Sequence, residues 1–274
     1  MQKHKKSLEL SCYILGAGAF GVFLRWLQNQ LGFDEAGLAD RSIFHILVPL
    51  FIIAVAVVFI RFVDKFKAKR FYLPEGFGPA LRNDGKFFSF LRWTFGLIMC
   101  LGAVMLFTKA ETDPSPVFIR LLAVLAFLTG ITFPVILTAA NHKPDNPGWL
   151  TVLCILPVLM FSVWLISCYR ANAINSVVWS FSIEIVAVVS AMLAFFRITG
   201  FAFETPNAGR SMFCCMFGSA MCFMAIADER YMGMQLILFS AACMLVLYNW
   251  IMVMNLRQGR PQSEVTPEDG FERL

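Results

Sequence analysis

The chain alternates long apolar blocks with short polar breaks, and the blocks set the architecture. Eight predominantly apolar stretches, 10–31, 43–63, 87–107, 117–140, 149–169, 173–196, 211–227 and 234–256, stand along the sequence. Each is close to the roughly 20 residues an α-helix needs to cross about 30 Å of hydrocarbon. The seventh is the shortest. No stretch of ten residues alternates apolar with polar, which disfavours a β-barrel, and a backbone in lipid must satisfy its own hydrogen bonds. The pattern predicts an all-α, polytopic integral membrane protein with eight transmembrane helices. Composition agrees: 58% of the residues are hydrophobic and 15% charged, where soluble domains carry about a quarter charged.

Charge placement predicts an orientation. With the N-terminus in the cytoplasm, sixteen of the 23 Lys and Arg residues fall on the inner side. Only Arg41, Lys109, Arg120, Arg170 and Arg230 fall on the outer side, as the positive-inside rule expects. Eight spans return the C-terminus to the cytoplasm. The net charge of +5 then faces anionic lipid of the cell membrane, and no nucleic acid is needed to explain it. Lys3, Lys5 and Lys6 before an apolar run resemble a secretory signal, but the run reaches Leu31, beyond the 7–15 residues of a signal core. An uncleaved first helix is expected.

The breaks predict a cytoplasmic N-terminus at 1–9, one bundle at 10–256 and a disordered, proline-containing tail at 257–274. The cytoplasmic loop 64–86 is basic from Lys65 to Lys86 and ends rich in Gly and Pro. It is expected to lie on the inner surface and to offer a site for a protein partner, membrane lipids being the other expected partner. No extramembrane segment is long enough to fold as a domain of its own.

Against this apolar background a few polar residues need an explanation. Glu184 lies mid-span in "SVVWSFSIEIVAVVSAMLAFF". Helical spacing puts Ser180, Ala187, Val188 and Ala191 on its face, a small-residue face of the kind at which helices approach closely. A carboxylate there costs about 2.5–3.5 kcal/mol and needs a partner, a proton or water. Arg25 shares a face with Ile14, Gly18, Gly21 and Gln28 in the first span. The two lie about 7 Å and about 3 Å to the outer side of their span centres. A meeting of Arg25 and Glu184, direct or through water, is the expectation, either as a structural ion pair or as a substrate or proton site. Arg92, facing Phe88, Gly96, Met99 and Ala103, and Asn249 come to similar depth in the inner half. They form either a second polar layer or, separately, a snorkelling arginine and an interhelical hydrogen bond.

Other motifs carry less. "GAGAFG", residues 16–21, spells a dinucleotide fingerprint but lies mid-helix, so its glycines are read as helix packing. The eight cysteines form no C-x-x-C, and the sulfurs of the last two spans converge on no face, so no metal is expected. His4, His45 and His142 are too few and too scattered for haem or zinc, and no cofactor is expected. "DER", residues 228–230, reads as a solvated turn. Pro49, Pro134 and Pro157 lie inside spans, as kinks or, at "TGITFPVILT", as a broken helix. With no nucleophile, base or metal constellation to mark an enzyme, the residues point to a small transporter or permease with a polar intramembrane site. The alternative is a non-catalytic anchor or partner-binding subunit of an envelope or redox complex.

Overall fold

The computed structural model describes residues 2–33, 42–68, 71–74, 77–83, 85–110, 116–142, 148–173, 177–203 and 207–258. Nine helices stand among them: α1 (Gln2–Leu31), α2 (Phe44–Ala68), α3 (Phe77–Leu81), α4 (Lys86–Lys109), α5 (Pro116–His142), α6 (Gly148–Asn172), α7 (Val178–Ala202), α8 (Ala208–Ala225) and α9 (Met232–Asn255). All but the five-residue α3 are long and apolar enough to cross a membrane, eight in all.

The most and the least apolar spans differ in shelter, although α9 is both well buried and apolar, with a mean hydropathy of 2.2. α2, the outermost, has a mean hydropathy of 2.9 and only 22% of its span buried by protein. α8 has a mean hydropathy of 1.2 with 67% buried, and α9 is 72% buried. A helix facing lipid must be apolar all round, whereas one wrapped by other helices tolerates small and polar residues. The seventh stretch, the faintest in the sequence, is the short α8, and its shelter tolerates the small and polar residues it carries.

Glycines let the backbones close up. A Cβ on Gly18 would stand 2.9 Å from Phe223, and one on Gly21 would stand 3.2 Å from Met224, both on α8. The packing reading of "GAGAFG" holds for these two, while Gly16 has nothing within 4 Å. α4 meets α5 at Gly96, where an added Cβ would come 2.5 Å from the Gly130 carbonyl oxygen, and meets α9 where Gly102 faces Gly233. Pro134 denies the Gly130 carbonyl its helical donor, yet α5 runs unbroken, so this proline is accommodated within a continuous helix.

The chain between α2 and α4 folds back onto the bundle end where α1 begins and α9 ends. A two-residue strand, β1 (Phe71–Tyr72), pairs antiparallel with β2 (Arg257–Gln258). Leu73, Phe77, Ala80 and Leu81 are buried. The Asn255 amide donates to the carbonyls of Ala80 and Arg82, 2.9 Å each. These four apolar side chains are thus spent on the protein itself, and the tail begins with ordered pairing at 257–258; residues 259–274 lie outside those described. The sixth expected span, 173–196, is displaced. α7 begins at Val178 and carries Arg197 into its last turns, where Thr199 donates to the Cys154 carbonyl at 2.8 Å.

Candidate functional site

At the end where α1 finishes and α9 begins, a chain of polar side chains crosses the bundle. It is organised by the turn between α8 and α9. α8 has only 18 residues, about 27 Å of helix, so the turn that follows dips among its neighbours. Asn29 donates to the Ala227 carbonyl at 3.0 Å, and Gln235 donates to the carbonyls of Ile226 (3.3 Å) and Asp228 (3.1 Å). These bonds fasten a turn whose Asp228 is 5% exposed. The solvated-turn reading of "DER" is therefore corrected for Asp228 and Arg230, which are the centre of the network, and holds for Glu229, which is exposed.

Arg25 donates through Nε to Asp228 Oδ1 at 2.6 Å and through Nη1 to Gln28 Oε1 at 2.6 Å. Nη1 also reaches the Trp179 carbonyl and Nη2 the Ser180 carbonyl, both at 3.1 Å. Gln28 passes the chain to α2, its Nε2 standing 3.0 Å from His45 Nδ1, while His45 Nε2 lies 2.7 Å from the Gly32 carbonyl. That pattern fits a His45 carrying its proton on Nε2. On the other side Asp228 Oδ2 accepts from Arg230 Nη2 at 3.1 Å, and Arg230 Nη1 pairs with Glu184 Oε2. Glu184 also accepts from Trp164 Nε1 at 2.7 Å and from the Cys168 thiol at 3.0 Å. The sequence His45, Gln28, Arg25, Asp228, Arg230, Glu184 joins α2, α1, the α8–α9 turn and α7, and ends on α6.

The expected partnership is corrected in its central detail. Glu184 is buried and inward-facing, at 3% exposure, but its cation is Arg230. The hydrogen bonds of Arg25 to α7 go to the carbonyls of its first turn, and α1 packs chiefly against α8, α9 and α2. Ser180 contributes its carbonyl, while its hydroxyl bonds Val177 at 2.8 Å. Burial alone would lower the Arg230 pKa, but the Glu184 and Asp228 carboxylates outweigh it and hold the guanidinium above its ordinary value. It stays charged.

The inner pair does not assemble. α9 turns Trp250 toward α4, where it meets Phe88 at 5.9 Å between ring centroids, and the next residue along a helix points about 100° away. Asn249, 1% exposed, has no hydrogen-bond partner at either amide atom. Arg92 bonds its own helix at Ser89, 3.0 Å, and leaves Nε without an acceptor.

Two cavities open beside the charge chain. One, of about 710 Å³, is bounded by α5, α6, α7 and α9 and includes Trp164, Cys168, Glu184 and Arg230 in its wall. The other, of about 420 Å³, includes Arg25, Asn29 and Asp228. Both share Asn172, Glu184, Glu229 and Arg230. The Glu184–Arg230 pair thus forms part of the wall of both. Asp228, Arg230, Trp164 and Cys168 escape a reading of spans because two lie in a connection and two look like ordinary membrane residues. The available signals were the shortness of the seventh span and the i, i+4 spacing of Trp164 and Cys168 in the half of α6 that reaches Glu184.

Fold and site together define a multi-pass α-helical membrane protein with a buried charge chain and, beside it, cavities whose walls mix charged and apolar side chains. Comparison of the chain with protein-family models, with curated proteins and with solved structures finds no match.

Proposed function

We propose that this protein is a small-solute transporter of the cell membrane, with both termini in the cytoplasm and the Glu184–Arg230 cavity opening to the outside. One observation carries the reading: a cavity of about 710 Å³ reaches down to a buried ion pair. That volume lies within the range of about 300–1,000 Å³ typical of small-molecule sites. The excess of basic residues at the end where α1 begins and α9 ends supports the orientation. Arg25, satisfied on every nitrogen and 1% exposed, serves as architecture, and the working pair is Glu184 with Arg230.

The test is efflux from proteoliposomes loaded with a labelled mixture of amino acids, organic acids, sugars and nucleosides. Loss of a subset of solutes, abolished by Glu184→Gln and Arg230→Lys, is expected. Retention of every solute at the level of protein-free liposomes, or efflux unchanged in both variants, removes the proposal. In the first case the anchor or partner-binding role remains.

A further inference from the structure

The charges around the larger cavity cancel. Its wall carries the sheltered pair Arg230 and Glu184, and outside that pair the exposed Arg170 and Glu229. Arg25, Asp228, Arg230 and Glu184 likewise alternate in sign along the network. In a low-dielectric setting a ligand with net charge would leave one buried charge uncompensated, which is expensive. A ligand with no net charge but with both signs would not.

The two members of the pair differ in what they can still bind. Arg230 spends Nη1 on Glu184 and Nη2 on Asp228, while its Nε–H has no acceptor. Nε is shut off while the Glu184 contact is closed, so a carboxylate reaches the bidentate fork of Nε and Nη2 that guanidinium geometry favours only as that contact opens. Glu184 is steadied by the Trp164 N–H and the Cys168 thiol independently of Arg230, so it can exchange a guanidinium for an ammonium without moving. Exchanging one ion pair for two leaves no charge unpaired. Ile119, Tyr231 and Met234 in the same wall offer an apolar seat.

We propose that this cavity binds a small zwitterion with an apolar body, of the α-amino-acid or short-peptide class, its carboxylate on Arg230 and its ammonium on Glu184. The assignment rests on the transporter reading above and names its substrate class. Binding parts the Glu184–Arg230 pair, and because that pair walls both cavities, the two spaces join.

The full chain in lipid nanodiscs is titrated calorimetrically with leucine, phenylalanine and leucyl-leucine, and then with N-acetyl-leucine and leucinamide, which each lack one charge. A saturable zwitterion signal is expected, with both blocked analogues about 10–100-fold weaker, the factor for one charge-assisted hydrogen-bond pair. Because the analogues probe the unaltered protein, folding defects do not enter. Blocked analogues binding as tightly as leucine, or no binding by any of the three zwitterions, overturns the assignment. Efflux of some other solute class in the proteoliposome experiment, with no zwitterion bound, sinks this inference alone. Zwitterion binding without efflux sinks the transport reading and keeps the site.

Discussion

Asp228→Ala separates the buried turn from a solvated one. The Asp228 carboxylate takes Arg25 Nε on Oδ1 and Arg230 Nη2 on Oδ2. Its removal leaves Arg25, 1% exposed, with neutral partners only: Gln28 and the carbonyls of Trp179 and Ser180. Breaking a buried pair by removing one member costs about 3–5 kcal/mol. The surviving hydrogen bonds soften the loss at Arg25, and Glu184 keeps Arg230 paired, so the expected cost is near the lower end, about 3 kcal/mol. A residue in a solvated turn would cost no more than about 0.5 kcal/mol. The two readings differ by a factor of about a hundred in the unfolding constant. The assay is reversible unfolding by sodium dodecyl sulfate in mixed micelles, followed by tryptophan fluorescence. Asp228→Asn, which keeps the shape and an acceptor oxygen, is expected between Ala and wild type, and Arg25→Met with Asp228→Leu is expected to recover most of the loss by emptying the site of charge. Stability of Asp228→Ala within about 0.5 kcal/mol of wild type would refute the keystone role of this carboxylate.

Three further outcomes follow from the packing. Gly96→Ala drives a methyl against the Gly130 carbonyl and should cost about 1–3 kcal/mol; Gly16→Ala meets nothing and should be neutral or stabilising by up to about 1 kcal/mol, both in the same unfolding assay, and equal effects would contradict the close crossing of α4 and α5. Trp164→Phe keeps the ring but deletes the donor to Glu184, with an expected loss of about 1–3 kcal/mol and a weakened zwitterion signal; an unchanged titration and stability would mean the bond carries nothing. Asn255→Ala removes both bonds to the α3 segment and should speed amide exchange at Ala80 to Asn83 while leaving Glu184 and its neighbours unchanged.

What could be read from the residues alone was set by the solvent. Lipid imposes length and apolarity on each span, so eight helices stand out even though α8, sheltered by its neighbours, stands out least. The same rule exposed Glu184 and Arg25, since a charge among apolar residues is visible without coordinates and must turn inward. The small faces around them, Gly18 and Gly21 included, also carried their meaning locally. Pairing is different. Arg25 and Asp228 are separated by 203 positions, and which cation answers Glu184 depends on which helices are neighbours and on how deep a turn sits. Nothing in "DER" marks it as buried; the short α8 and the bonds from Asn29 and Gln235 draw it inward. Asn249 and Arg92 share a depth but not a face, because α9 presents Trp250 to α4. Depth along a helix is a one-dimensional quantity that a sequence contains. Azimuth relative to a neighbour and the depth to which a turn is drawn in belong to the assembled bundle, and it is the inward-drawn turn that gave Arg230 to Glu184.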